Sequence, residues 1–126
     1  MKVLVSGARN WPDELAHLVF DKLCKLPRNT IIISGAAKGV DTLAEEFADD
    51  VGLEKDIFPA NWDKHGKAAG PIRNQQMLEH GPDLVLCFFK NFEKSKGTKD
   101  MYQRAKKAGI KTIGYILVNE SLRTLE

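Results

Sequence analysis

The sequence is poor in cysteine, with two in 126 residues, and this excludes a disulfide framework. Cys24 falls in a helical pattern and Cys87 in an apolar strand, with no second pair at the spacing of a zinc or redox motif. Both read as buried thiols, and no metal site is expected. An excess of one charge is also missing. Lysine and arginine number 19 against 17 acids, a net charge of +2, too small for charge alone to argue for a nucleic-acid partner. Long hydrophobic runs are absent, and Met1 leads straight into Val3–Val5 without a cleavable apolar segment. The expectation is a cytoplasmic chain with no membrane partner.

What is present is ordinary for a folded domain: 43% hydrophobic and 29% charged residues, at a length that suits one core. We place the domain at residues 1–118 and leave 119–126 as a C-terminal tail. Val3–Val5 is a short β-branched run. A helical pattern follows Trp11 and Pro12 through Leu15, Val19, Leu23 and Leu26, with Pro12 suited to a first turn. Ile31–Ile33 is a second strand, and Val40, Leu43, Ala44, Phe47, Ala48 and Val51 form a helical stripe. A weaker strand at Asp56–Phe58 leads through a long polar loop, Asn61 to Arg73, into a helix ending near His80. Leu84–Phe89 is continuously apolar, as in a strand covered on both faces. Thr98–Ala108 is helical and Lys111–Val118 is the last strand. This alternation predicts an α/β, Rossmann-like three-layer sandwich around a mostly parallel sheet of about five strands.

The ten glycines sort by position. Gly52, Gly81 and Gly109 each end a helix, where a left-handed cap is usual, and Gly114 in the last strand marks close packing. Gly7, Gly35, Gly39, Gly66, Gly70 and Gly97 lie in connections that leave a strand and enter a helix. In an open parallel sheet those connections share the edge where ligands bind. We expect Gly7, Gly35, Gly39, Gly70, Arg73 and Gly97 to converge on one electropositive pocket.

The loops carry the chemistry. Ser34–Asp41, SGAAKGVD, can cradle a phosphate on its N–H groups at Gly35, Ala36 and Gly39, with Lys38 as a point charge; it is neither a full GxGxxG fingerprint nor a Walker loop. Asp41 suits a ribose hydroxyl, or the dipole of its own helix. In SGARNW, Arg9 has the planar fork for phosphate or carboxylate, or is a surface arginine. Trp11 offers a stacking face, although core packing is favoured for it. The segment Asn61–Asn74 contributes Trp62, Lys67, Gly70, Arg73 and Asn74, and long ordered loops tend to be functional. His65 has no acidic partner at evident spacing and reads as a surface residue. In SKGTKDM, Ser95, Gly97 and Thr98 open a helix as an anion site, while Asp100 is the one carboxylate there, with helix capping as its alternative role.

Taken together, SGARNW, SGAAKGVDTLAEEFA, the NW…GKAAGPIRNQQM loop, LVLCFF and SKGTKDM resemble the small SLOG family, the YspA-like, cpYpsA-related group, over Met1 to about Ile116. Relatives in that superfamily are the LOG phosphoribohydrolases and DprA. The resemblance implies a Rossmannoid fold that binds a nucleotide-derived ligand of NAD or ADP-ribose type, in signalling or phage–host conflict, and it favours a homodimer or homotetramer. In LOG enzymes an arginine and a glutamate of a GTxxE motif serve cleavage of a base from a ribose phosphate. Arg73 matches the arginine. The glutamate position is Met101 here, with Asp100 adjacent. A carboxylate is the natural group to stabilise the developing ribosyl cation, so Arg73, Asp100 and Asp41 are the catalytic candidates and binding is preferred over hydrolysis. No cofactor is required. An N-glycosidase is the alternative function, and DprA-like single-stranded DNA binding is ranked last.

Overall fold

The computed structural model describes residues 1–125, and in them a six-stranded sheet runs in the order β3-β2-β1-β4-β5-β6. The strands are β1 (Lys2–Gly7), β2 (Ile31–Ser34), β3 (Glu54–Ile57), β4 (Leu84–Phe89), β5 (Lys111–Val118) and β6 (Ser121–Thr124). The first five are parallel, with Val3 opposite Leu84 and Lys2 opposite Ile31. Parallel neighbours need crossovers, supplied by α1 (Ala16–Leu23), α2 (Val40–Val51), the single turn α3 (Trp62–His65) with α4 (Ala69–Glu79), and α5 (Lys96–Lys107).

Strand alternation divides the core in two. Val3, Val5, Ile32, Leu84, Leu86 and Phe88 face Val19 and Leu23 of α1 and Val40, Ala44 and Ala48 of α2. Leu4, Ile33, Val85, Cys87 and Phe89 face Met77 of α4 and Met101, Tyr102 and Ala105 of α5. Every residue of β4 is buried, which explains its unbroken apolar run. Gly114 is a close approach: a Cβ there would lie 2.7 Å from Tyr102 Cε1.

The fold departs from the expected pattern at several points. The first helix is shorter: Pro12 is extended, Asp13–Leu15 is a 3-10 turn, and α1 stops at Leu23. Pro27 disfavours helical backbone at Leu26, which still packs at the core edge. The segment 61–73 is largely helical, through α3, a 3-10 turn at Gly66–Ala68 and the start of α4. Val51 is exposed at the end of its helix. The tail after Val118 forms β6, antiparallel to β5, across a tight turn in which Asn119 and Glu120 take φ of 48° and 62°. Such a turn normally advertises itself by glycine; here none marks it.

Cys24 corrects the expectation of two buried thiols: it is exposed at the C-cap of α1, whereas Cys87 is fully buried and its burial pushes the thiol pKa up. A thiol reagent such as Ellman's should therefore modify one cysteine quickly in the native protein and the second only in denaturant. Rapid native modification of both would contradict the packing around β4.

Candidate functional site

Strand order reverses between β1 and β4, the first and fourth strands in the chain, since the β1–β2 and β4–β5 crossovers run to opposite sides. Such a point leaves a crevice at the carboxyl ends of the strands. A cavity of about 510 Å³ lies there, within the size range of small-molecule sites. Its walls come from the β1–α1 connection (Gly7, Arg9), α3 (Trp62), the start of α4 (Lys67 just before it, then Gly70, Arg73, Asn74) and the start of α5 (Ser95, Gly97, Thr98, Asp100), with Asp41 from α2.

The floor is a polar network centred on Arg73, which is 9% exposed. Its Nη1 donates to the carbonyl oxygen of Gly35, and its Nε donates to Asn74 Oδ1 at 3.1 Å. Asn74 Nδ2 donates in turn to the Gly97 carbonyl at 3.2 Å and to Asp100 Oδ2 at 2.9 Å, and Arg104 Nε closes on the same oxygen at 2.8 Å. Arg73 and Asn74 together thus tie the β2–α2 loop, α4 and α5. Among the described residues Arg73 Nη2 has no hydrogen-bond partner. Among the described residues Thr30 Oγ1 is the one fully buried side-chain polar atom left unpaired, so Nη2 keeps access to the cavity. Burial lowers the Arg73 pKa, opposed by Asp41 and assisted by Arg9.

Asp41 is 5% exposed and accepts the Ala37 N–H at 3.2 Å. Burial raises its pKa to about 6, a rise held back by the Ala37 amide and the Arg73 charge and helped by Glu45. At α5, Ser95 occupies the N-cap without a side-chain hydrogen bond, so the first-turn amides at Gly97 and Thr98 meet the cavity without a side-chain cap.

Four expected site residues lie outside the cavity wall: Gly35, Ala36, Lys38 and Gly39. Three amides of the SGAAKGVD loop have protein acceptors: Ala36 N–H on Ser34 Oγ, Ala37 N–H on Asp41, Val40 N–H on the Ala8 carbonyl. Lys38 is exposed beyond the rim. Gly35 lacks a side chain because Arg73 fills that space, a Cβ there falling 2.8 Å from Arg73 Cζ. Gly39, at φ 75°, would set a Cβ 2.2 Å from the Ala8 carbonyl oxygen. Even Gly7, which does line the cavity, has Val40 packed 2.5 Å from where its Cβ would be. The expected convergence therefore holds for Gly7, Gly70, Arg73 and Gly97, while Gly35 and Gly39 brace the wall from behind. Trp11 is a core residue, its indole N–H on the Leu15 carbonyl at 3.0 Å. Met101 is fully buried against the sheet.

Sequence reasoning passed over Ser6, Ala8, Asn10, Ala37 and Pro71, all of which line the cavity. Each is within two residues of one that was singled out. The missing signal was side-chain direction, which a loop does not encode in its periodicity.

Two outcomes follow. Gly39→Ala combines a forbidden contact with a left-handed φ and should cost at least about 2 kcal/mol of unfolding free energy, measured by denaturant titration. Asp41 has a folded pKa above its ordinary 3.8, so it favours the folded state fully below that value and loses this contribution as pH rises through about 6. Its ionisation opposes folding at neutral pH by on the order of 3 kcal/mol. Asp41→Asn keeps an acceptor for Ala37 and should be more stable than wild type at pH 7.5, by a margin that shrinks at pH 4.5. A margin independent of pH would refute the assignment.

Comparison with known proteins fits this architecture. The family described as YAcAr, the YspA, cpYpsA-related SLOG family, matches residues 1–65. The Gene 61 protein of Mycobacterium phage D29 is 31% identical over 121 residues, covering 90% of this chain and 95% of that protein. The X-ray structure of DNA processing protein A (DprA) from Streptococcus pneumoniae superposes with a TM-score of 0.75 at 21% identity, over 90% of this chain and 49% of the other. The chain thus spans about half the length of DprA, and that likeness is one of fold. A family match across just over half the residues, joined to a relative alike over nearly its whole length, places this chain in the YspA, cpYpsA-related SLOG family.

Proposed function

We propose that the cavity binds a nucleotide-derived small molecule by its phosphate, as a sensor, carrier or sequestering module. The observation that carries this reading is the Arg73 guanidinium, nine-tenths buried with Nη2 open to the cavity, beside the uncapped first turn of α5. Burying a cation is costly, and an anion that accepts from Nη2 and from the Gly97 and Thr98 amides relieves that cost with charge-assisted bonds. Lys67, Lys94 and Lys96 add positive charge to the wall.

A second reading, cleavage of the N-glycosidic bond of the ligand, rests on Asp41, an acid in the same cavity with its pKa raised to about 6. Single-stranded DNA is a third occupant, raised by the likeness to a DNA processing protein. Mass spectrometry of small molecules released from freshly purified, denatured protein separates these readings: an intact nucleotide supports binding, a free base with ribose phosphate supports cleavage, and a mobility shift with oligonucleotides at low salt supports DNA.

A mutation tests the anion site directly. A side chain at Gly97 meets nothing within 4 Å, and an acid in a first helical turn is favourable to the helix. Gly97→Asp should therefore leave the melting temperature equal or slightly higher. It should abolish the rise of about 10 °C that a phosphate ligand at a hundred times its Kd gives wild type. Retention of that rise would rule out the proposed anion site.

A further inference from the structure

Trp62 is the first residue of α3, a single turn whose N-cap Asn61 accepts the Lys64 N–H at 3.1 Å. It is 49% exposed. The large hydrophobic side chains exposed among the described residues are Met1, Val51, Ile57 and Trp62, and of these Trp62 is the one that lines the cavity. The core does not use it: the tryptophan in the core cluster is Trp11.

Its surroundings are open. The Cη2 edge passes Gly70 at the distance of an ordinary contact, 3.5 Å from where a Cβ would stand. The Arg9 guanidinium carbon lies 5.8 Å from the ring centroid. Trp62 also borders a second, smaller depression of about 360 Å³ formed with Pro59, Ala60, Asn61 and Asp63. Arg9 and Trp62 come from different connections and meet beside the cavity, each exposed. An exposed indole facing a guanidinium leaves a flat surface that holds a planar ring well: base–aromatic stacking and cation–π contact are both available to it.

Resting on the nucleotide reading above, we infer that the ligand is a nucleoside 5′-phosphate, free or extended as in an ADP-ribose, bound with its phosphate inward on Arg73 and α5 and its base outward on Trp62 beside Arg9. The cavity wall supplies both surfaces that such a ligand requires. Cations and uncapped amides lie at Arg73, Lys96, Gly97 and Thr98, and flat apolar surface lies at Trp62 and Pro71. Stacking tolerates any base because every base presents a π face, so affinity should track ring area, purine above pyrimidine, more than the pattern of ring substituents.

Calorimetric titration of the full chain with AMP, UMP, ADP-ribose and ribose 5-phosphate tests this. Wild type should bind AMP and ADP-ribose about tenfold or more tighter than ribose 5-phosphate. Trp62→Ala should erase that preference while leaving ribose 5-phosphate affinity unchanged, and Trp62→Phe should retain most of it. Because Trp11 is buried, AMP should alter tryptophan fluorescence in wild type and ribose 5-phosphate should not. Equal AMP affinity in wild type and Trp62→Ala, with both compounds binding, overturns the base placement and leaves the phosphate site standing. If none of the four compounds binds wild type, the nucleotide reading itself fails and this inference falls with it. Circular dichroism and the Trp62→Phe variant separate loss of stacking from loss of fold.

Discussion

A guanidinium taken out of water carries a penalty of several kcal/mol unless its N–H groups find acceptors and its charge finds a counterpart. Arg73 meets that demand through its neighbours, donating to the Gly35 carbonyl and to Asn74, and the rest of the site is arranged around those bonds. Gly35 must be bare to admit it, Asn74 must turn toward Gly97 and Asp100, and Arg104 must hold Asp100 from the following turn. The β2–α2 loop, α4 and α5 are thereby fixed relative to one another by two adjacent side chains, Arg73 and Asn74. The cavity keeps its shape because its floor is hydrogen-bonded.

That dependence also accounts for the glycines. Free backbone at a strand-to-helix turn is the expected sign of a ligand approaching closely, but at Gly7, Gly35 and Gly39 the approaching group is protein: Val40, Arg73 and the Ala8 carbonyl. The turn after β2 is drawn so tightly against the turn after β1 that Val40 N–H reaches the Ala8 oxygen at 3.1 Å. These contacts bring Arg9, Asp41 and Arg73 to one cavity. Glycine there shapes the cavity indirectly, by letting two loops touch.

Much of this was legible in the residues and some was not. The strands at Ile31, Leu84 and Lys111 and the helix from Val40 announce themselves because their side chains alternate or recur against a core, and burial writes that period into the sequence. β6 carries a single partly buried residue on the core side, Leu122, so no period could show it. The segment from Trp62 to Ala68 reads as loop because no residue of its turns is buried. In the site, the convergence of Gly7, Gly70, Arg73 and Gly97 followed from topology alone, since parallel crossovers deliver every strand-to-helix turn to one edge. The SGAAKGVD loop reads as a phosphate cradle because composition cannot reveal that the amides of Ala36, Ala37 and Val40 already have acceptors.

The register of α5 bears on what the cavity can do. Residues 98, 101, 102 and 105 are buried, and Met101 is committed to the sheet, in the core cluster with Phe89 and Tyr102. Asp100, one residue earlier and so about 100° round the helix, does reach the cavity, but its Oδ2 is shared by Asn74 and Arg104. Asp41 is opposed by its own burial. The two acids of the cavity are thus engaged or disfavoured as anions, while Arg73 keeps a free N–H and Lys67, Lys94 and Lys96 lie on the wall. The proposed retention of a phosphate draws on open cations, whereas stabilising a ribosyl cation would draw on carboxylates that are here occupied or disfavoured as anions.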